Sequence, residues 1–130
     1  MTLVLHALDG RFAVCRLAPD AEWPAWASTS RELLSVTRTR TETSVVCEEG
    51  LVPAAVVVEG GFSAFAVEGP IPFGATGVLA SLVEPLREVA VSVFPIGTYD
   101  TDYLLVRSTD ASRAVRAWRD AGHTVDDRTR

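Results

Sequence analysis

The pattern of apolar and polar residues is most regular between residues 62 and 127. Residues 62–68, 91–96 and 102–107 are rich in β-branched and aromatic side chains, and each run predicts a strand. Between the first two, apolar residues at helical spacing predict a helix over 75–88. A second helix over 110–121 and a last strand over 123–127 follow. The order is β-α-β-β-α-β, which predicts an α+β, ferredoxin-like fold.

The first 61 residues predict mostly short strands. Residues 2–8 and 11–17 flank Asp9-Gly10, a two-residue signal for a hairpin, and residues 33–37 and 43–48 predict two more strands. A helical turn is predicted at 22–26, interrupted by Pro24. The apolar segment 52–58 fits either a strand or a short helix, and Glu59-Gly60-Gly61 predicts a turn. Since this order resembles that of the second half, we predict two units, a degenerate one over 1–61 and another over 62–130.

Composition and charge narrow the classes of function. The 130 residues are 48% hydrophobic and 22% charged, which is ordinary for a folded core. The net charge is −5, and this acidic balance disfavours nucleic acid as a partner. The N-terminus has neither a basic segment nor an apolar run of membrane-spanning length, so we expect a cytoplasmic protein that does not bind a membrane.

No catalytic machinery is visible in the sequence. The chain lacks a Ser-His-Asp order, a metal-ligand spacing and a phosphate-binding loop, so we predict that it is not an enzyme and expect no cofactor or metal. Cys15 and Cys47 lie in strand-like runs without C-x-x-C spacing, which favours buried core residues. His6 lies in an apolar strand and His123 follows a predicted helix end, so both are interpreted as structural.

Two glycine-containing turns form the candidate site. In the predicted strand order, the turns 69–77 and 97–101 lie at one end of the sheet and face each other. Gly74 and Gly77 would let free N–H groups at the start of the helix approach a carboxylate. Asp100 and Asp102 on the opposite turn could hold an ammonium or guanidinium group. The alternative interpretation is that the glycines only form turns and that the aspartates bond their own hairpin.

Four segments carry a resemblance to a known family: residues 43–49 (TSVVCEE), 52–53 (VP), 69–80 (GPIPFGATGVLA) and 98–106 (TYDTDYLLV). They resemble small two-unit ACT-domain proteins related to the cytosolic arginine sensors, although Pro95 and Gly97 depart from the usual pattern. The resemblance implies tandem ACT units that bind an amino acid where the units meet. The predicted ligand-binding residues are Ser44, Val45, Phe73, Gly74, Thr76, Gly77, Val78, Thr98, Tyr99, Asp100, Thr101 and Asp102.

The leading functional hypothesis is therefore a regulatory module that binds an amino acid and assembles as a homodimer. The main alternative is an oligomerisation or protein-interaction module without a ligand. A third hypothesis is a small enzyme that uses Asp100, Asp102 or a cysteine.

Overall fold

The structure is a computed structural model, and it describes residues 1–128. These residues form two compact units: a larger unit of residues 1–9 and 63 onward, and a smaller unit of residues 10–62. One long strand contributes to both units, its first part to the smaller and its second part to the larger.

The larger unit is an α+β fold with five strands and two helices. Its strands are β1 (Val4–Ala7), residues 63–67 of β5 (Val57–Val67), β6 (Phe94–Gly97), β7 (Asp102–Arg107) and β8 (Thr124–Asp126), and its helices are α1 (Val78–Glu88) and α2 (Ala111–Asp120). The strand order is β8-β1-β5-β7-β6. From β5 onward the chain follows β-α-β-β-α-β, which confirms the predicted ferredoxin-like fold class.

Strand β1 explains why residues 1–9 belong to the larger unit. Leu5 pairs with Val67 of β5 on one side and with Val125 of β8 on the other, and its side chain is fully buried. The sequence pattern instead predicts these residues in a unit over 1–61. The predicted hairpin at Asp9-Gly10 is wrong, because β1 pairs with β5 and β8 and not with the strand that follows it.

The core of the larger unit lies where both helices pack on the sheet. Trp118 of α2 is fully buried, donates its indole N–H to the carbonyl of Leu82 on α1 at 2.9 Å, and meets Phe65 edge-on with ring centroids 5.1 Å apart. Leu86 and Leu104 complete the same cluster. A single aromatic side chain therefore joins α1, α2 and β5.

His123 links the N-terminal segment to α1. The backbone N–H of Leu3 donates to Nδ1 of His123 at 3.1 Å, and Nε2 lies 3.0 Å from the carbonyl oxygen of Ser81. Because Nδ1 must accept, Nε2 carries the proton and donates to Ser81. The imidazole is 5% exposed and both of its nitrogens are bonded, so the structural interpretation of His123 is confirmed.

The smaller unit is built from strands. They are β2 (Phe12–Leu17), β3 (Ser35–Arg38), β4 (Thr43–Glu48) and residues 57–62 of β5, in the order β3-β4-β2-β5. The helical turn predicted at 22–26 is a 3-10 turn at Ala25–Ala27. A second 3-10 turn, Glu49–Leu51, follows β4. The predicted turn at residues 59–61 is wrong, since β5 runs through it. Gly61 has a φ of +76°. It lies where the pairing of β5 with β2 shifts in register, between the partners of Phe12 and Val14.

Both cysteines lie in the core of the smaller unit. Cys15 and Cys47 are free thiols, buried together with Ala13, Ala27 and Val45. Burial, with a smaller contribution from Cys15, raises the pKa of Cys47 to about 12. The thiol therefore stays protonated at neutral pH, and a thiolate nucleophile is disfavoured. The prediction that residues 1–61 form a second, degenerate ACT-like unit stays a prediction.

Truncating Trp118 should be strongly destabilising. We expect Trp118→Ala to lower the free energy of unfolding by about 3–5 kcal/mol, because it leaves a cavity between the helices and the sheet. Trp23→Ala is the matched control, since Trp23 is 60% exposed and should change stability by less than about 1 kcal/mol. Urea denaturation of the two variants measures both values. Equal losses of stability would contradict the role assigned to Trp118.

Candidate ligand-binding groove

The turn of residues 69–77 and the hairpin turn of residues 98–101 contact each other directly. The backbone N–H of Ile71 donates to the carbonyl of Asp100 at 2.7 Å, and the Thr101 hydroxyl donates to the carbonyl of Val67 at 2.6 Å. A Cβ atom placed on Gly69 would lie 2.9 Å from the Asp100 carbonyl oxygen, closer than atoms pack. The prediction that the two turns face each other is confirmed.

The hairpin turn also holds its own shape. The backbone N–H and the hydroxyl of Thr98 both donate to the carbonyl of Thr101, at 2.8 and 3.0 Å, and the N–H of Thr101 donates back to the Thr98 hydroxyl. Both threonine hydroxyls are therefore engaged with the backbone. The Thr98 hydroxyl bonds its own hairpin, as in a self-bonded turn, whereas the Thr101 hydroxyl bonds Val67 on β5.

An open groove of about 340 Å³ lies between the start of α1 and the hairpin turn, and we call it the hairpin groove. Six of the predicted ligand-binding residues line it: Phe73, Gly77, Val78, Thr98, Tyr99 and Asp102. The groove is also lined by residues that the sequence did not predict to bind a ligand: Ile71, Pro72, Ala75, Leu79 and Ala80. Their side chains are all apolar, and the sequence signals for the site were glycines and polar residues.

The remaining predicted site residues lie elsewhere. Gly74 and Thr76 are exposed and do not line the groove. Asp100 and Thr101 line a separate open cleft of about 410 Å³ next to His6 and Glu68.

Ser44 and Val45 lie on β4 of the smaller unit. Val45 is fully buried in that unit's core, so its side chain offers no surface to a ligand. The participation of Ser44 stays a prediction.

The start of α1 presents free donors to the groove. Helix α1 begins three residues later than predicted, because Gly77 adopts a left-handed conformation with φ +76° and acts as its N-cap. Glycine has no side chain to cap the helix, and no side-chain cap bond is present. The first intrahelical bond runs from the Ser81 N–H to the Gly77 carbonyl, which leaves the N–H groups of the first turn without helical partners. These donors and the helix dipole favour an anion.

Asp102 supplies a negative charge to the same groove. Its side chain is half-buried. One of its carboxylate oxygens lies beside Gly97: a Cβ atom added to that glycine would be 3.6 Å from the oxygen. Within residues 1–128, Asp102 forms no salt bridge. The groove therefore combines a carboxylate with unpaired helix N–H groups.

Two exposed aromatic rings stand beside these polar groups. Phe73, on the first turn, and Tyr99, on the hairpin turn, stack with centroids 4.9 Å apart and an interplanar angle of 53°. They are 79% and 81% exposed. The structure thus retains a large solvent-exposed apolar surface at the groove.

Comparison with known proteins matches both parts of this chain. The family model of the ACT domain matches residues 57–120, and a second model, described as an N-terminal domain, matches residues 10–55. A structural genomics target protein from Agobacterium tumefaciens is 34% identical and has a TM-score of 0.92, with 98% of this chain and 95% of that chain covered. The chain belongs to the ACT-domain family. The hairpin groove lies within its ACT domain.

More distant structures share the fold. The regulatory subunit of aspartate kinase from Thermus thermophilus is 11% identical, with a TM-score of 0.60 and coverage of 88% of this chain and 94% of that chain. The allosteric aspartate kinase of Clostridium acetobutylicum is 12% identical, with a TM-score of 0.64, and the match covers 92% of this chain but 34% of the kinase. At these identities the likeness concerns the fold alone.

Two further features of residues 1–128 bear on function. In this part of the chain no three His, Cys, Asp or Glu residues are grouped as metal ligands. None of its helices is long and apolar enough to cross a bilayer, and α1 has 11 residues.

Gly69→Ala should disturb the contact between the two turns. Because the new methyl group would overlap the Asp100 carbonyl oxygen, we expect a loss of unfolding free energy of about 1–3 kcal/mol. Gly74→Ala is the matched control: a Cβ there meets nothing within 4 Å, so stability should stay the same or rise by up to about 1 kcal/mol. Thermal and urea unfolding measure both changes. If Gly69→Ala is as well tolerated as Gly74→Ala, the contact between the turns is loose.

Proposed function

We propose that this ACT-domain protein is a regulatory module that binds a free amino acid in the hairpin groove. The observation that carries the proposal is the presence of Asp102 and the uncapped start of α1 in the lining of one groove. A free amino acid carries a carboxylate and an ammonium group that are both attached to its α-carbon. The helix N–H groups complement the carboxylate, and Asp102 complements the ammonium.

The fold relatives support the regulatory part of the proposal. One of them is a regulatory subunit of aspartate kinase, and another belongs to an enzyme described as allosteric. This chain would correspondingly control another activity rather than carry one. The relation to the cytosolic arginine sensors is part of the same proposal, and it rests on the four sequence segments that resemble those proteins.

Asp102→Asn should weaken amino-acid binding. The substitution keeps the shape of the side chain but removes the charge that the ammonium group pairs with. We expect the dissociation constant to rise about 10- to 150-fold, corresponding to about 1.5–3 kcal/mol for a hydrogen bond to a charged group. Stability should change little, since Asp102 has no salt bridge to lose within residues 1–128. Calorimetric titration with each of the twenty amino acids identifies the ligand and measures the change.

Asp100→Asn is the control for this measurement. Asp100 uses its backbone carbonyl to hold Ile71, and it lines the neighbouring cleft rather than the groove. Its substitution should leave the affinity within about twofold. Equal effects of the two substitutions would show that net charge, and not contact with Asp102, decides binding. Unfolding of Asp102→Asn would show that Asp102 only braces the hairpin.

We also propose that two copies of the chain form a homodimer. Pairing of this kind is what the alternative function, an oligomerisation module, requires. Val57 and Val58 on β5 are 70% and 44% exposed, an unusual exposure for adjacent β-branched residues on one strand. Covering them with a second copy would remove apolar surface from water.

Light scattering at micromolar concentration should give about twice the chain mass of 14.0 kDa. Replacing both valines by threonine should shift the mass towards the monomer, because threonine keeps the β-branched shape but is more polar. A wild-type mass near 14.0 kDa would contradict pairing.

A further inference from the structure

The lining of the hairpin groove restricts which amino-acid side chain it can hold. Among the described residues that line it, Asp102 alone carries a formal charge. If the ammonium group of the ligand pairs with Asp102, a charged ligand side chain finds no second partner. Such a side chain would lose hydration without compensation.

The rest of the lining is apolar or aromatic. Ile71, Pro72 and Leu79 lie beside the Phe73–Tyr99 pair in the same groove. The two rings leave most of their surface in water, although large aromatic side chains usually bury much of theirs. A ligand that covers these rings would therefore gain the apolar contact that the protein itself does not make.

We propose that the groove is selective for an amino acid with an aromatic side chain, which packs against Phe73 and Tyr99. This inference rests on the proposed function, because the ligand's charged groups must lie at Asp102 and at the start of α1. The rings stand on the two turns that form the groove. Aromatic rings prefer tilted or offset contacts with centroids about 4.5–7 Å apart, so a third ring can extend the existing pair.

Leucine separates aromatic stacking from general apolar burial. Leucine and phenylalanine carry the same backbone charges and are both large and apolar, but phenylalanine alone has a π face. Aromatic pairs contribute about 0.5–1.5 kcal/mol beyond the burial of area, so two rings can supply about a tenfold preference. The ratio of leucine to phenylalanine dissociation constants thus reports the aromatic contribution together with the small difference in apolar area between the two side chains.

The test is calorimetric titration of the full chain with phenylalanine, tyrosine, tryptophan, leucine, alanine, aspartate and arginine. We expect at least one aromatic amino acid to bind about tenfold more tightly than leucine and the charged amino acids. Phe73→Leu and Tyr99→Leu should each lower the affinity for the aromatic amino acid by a larger factor than the affinity for leucine, and so remove most of this preference. Trp23→Leu is the matched control, because Trp23 is an exposed aromatic residue of the smaller unit and should leave the preference intact.

The possible outcomes distinguish this inference from the proposed function. If leucine, alanine or a charged amino acid binds as tightly as the aromatic ones, the aromatic selectivity is wrong while amino-acid binding stands. The same follows if the preference survives in Phe73→Leu and Tyr99→Leu. If the leucine affinity falls in parallel with the phenylalanine affinity, the ring pair only holds the two turns together and the inference is overturned. If no amino acid binds, both proposals fail.

Discussion

The packing of Trp118 between the two helices and the sheet is the interaction on which the larger unit depends. Its ring meets Phe65 of β5, and its indole N–H bonds the carbonyl of Leu82 on α1. Leu82 and Leu86 then fix the depth and rotation of α1 against the sheet. Because α1 is one continuous helix from Val78 to Glu88, this packing also positions its N-terminus at the groove. The polar end of the helix is therefore placed by apolar contacts in its middle.

The N-terminal strand completes the same unit from the far end of the sequence. β1 fills the position between β5 and β8, where each of its edges finds backbone partners. His123 adds a second link, since its two nitrogens bond Leu3 and Ser81. Residues that are about 120 positions apart in the chain thus share hydrogen bonds.

The hairpin groove combines backbone and side-chain chemistry. Gly77 begins α1 without a side-chain cap, so the first N–H groups remain available. On the other side, Thr98 and Thr101 bond each other and hold the hairpin that carries Asp102. These hydrogen bonds form within the protein itself, and such pre-organisation lowers the entropy cost of binding. The opposite charges of an amino acid match this arrangement, and the exposed rings of Phe73 and Tyr99 give it an apolar side.

The sequence by itself determined the elements whose pattern is local. The strand 43–48, both helices and the hairpin formed by β6 and β7 follow from apolar spacing and turn residues, and the facing turns follow from strand order. The tertiary structure decided the strand pairings and side-chain positions that depend on residues far apart in the sequence. Asp9-Gly10 has the signal of a hairpin, but β1 gains more backbone bonds between β5 and β8 than it would beside the next strand. Asp100 and Asp102 are two residues apart, yet they line different cavities. The two aspartates are separated because the turn at residues 69–77 packs against the hairpin between them. The local sequence does not predict this packing.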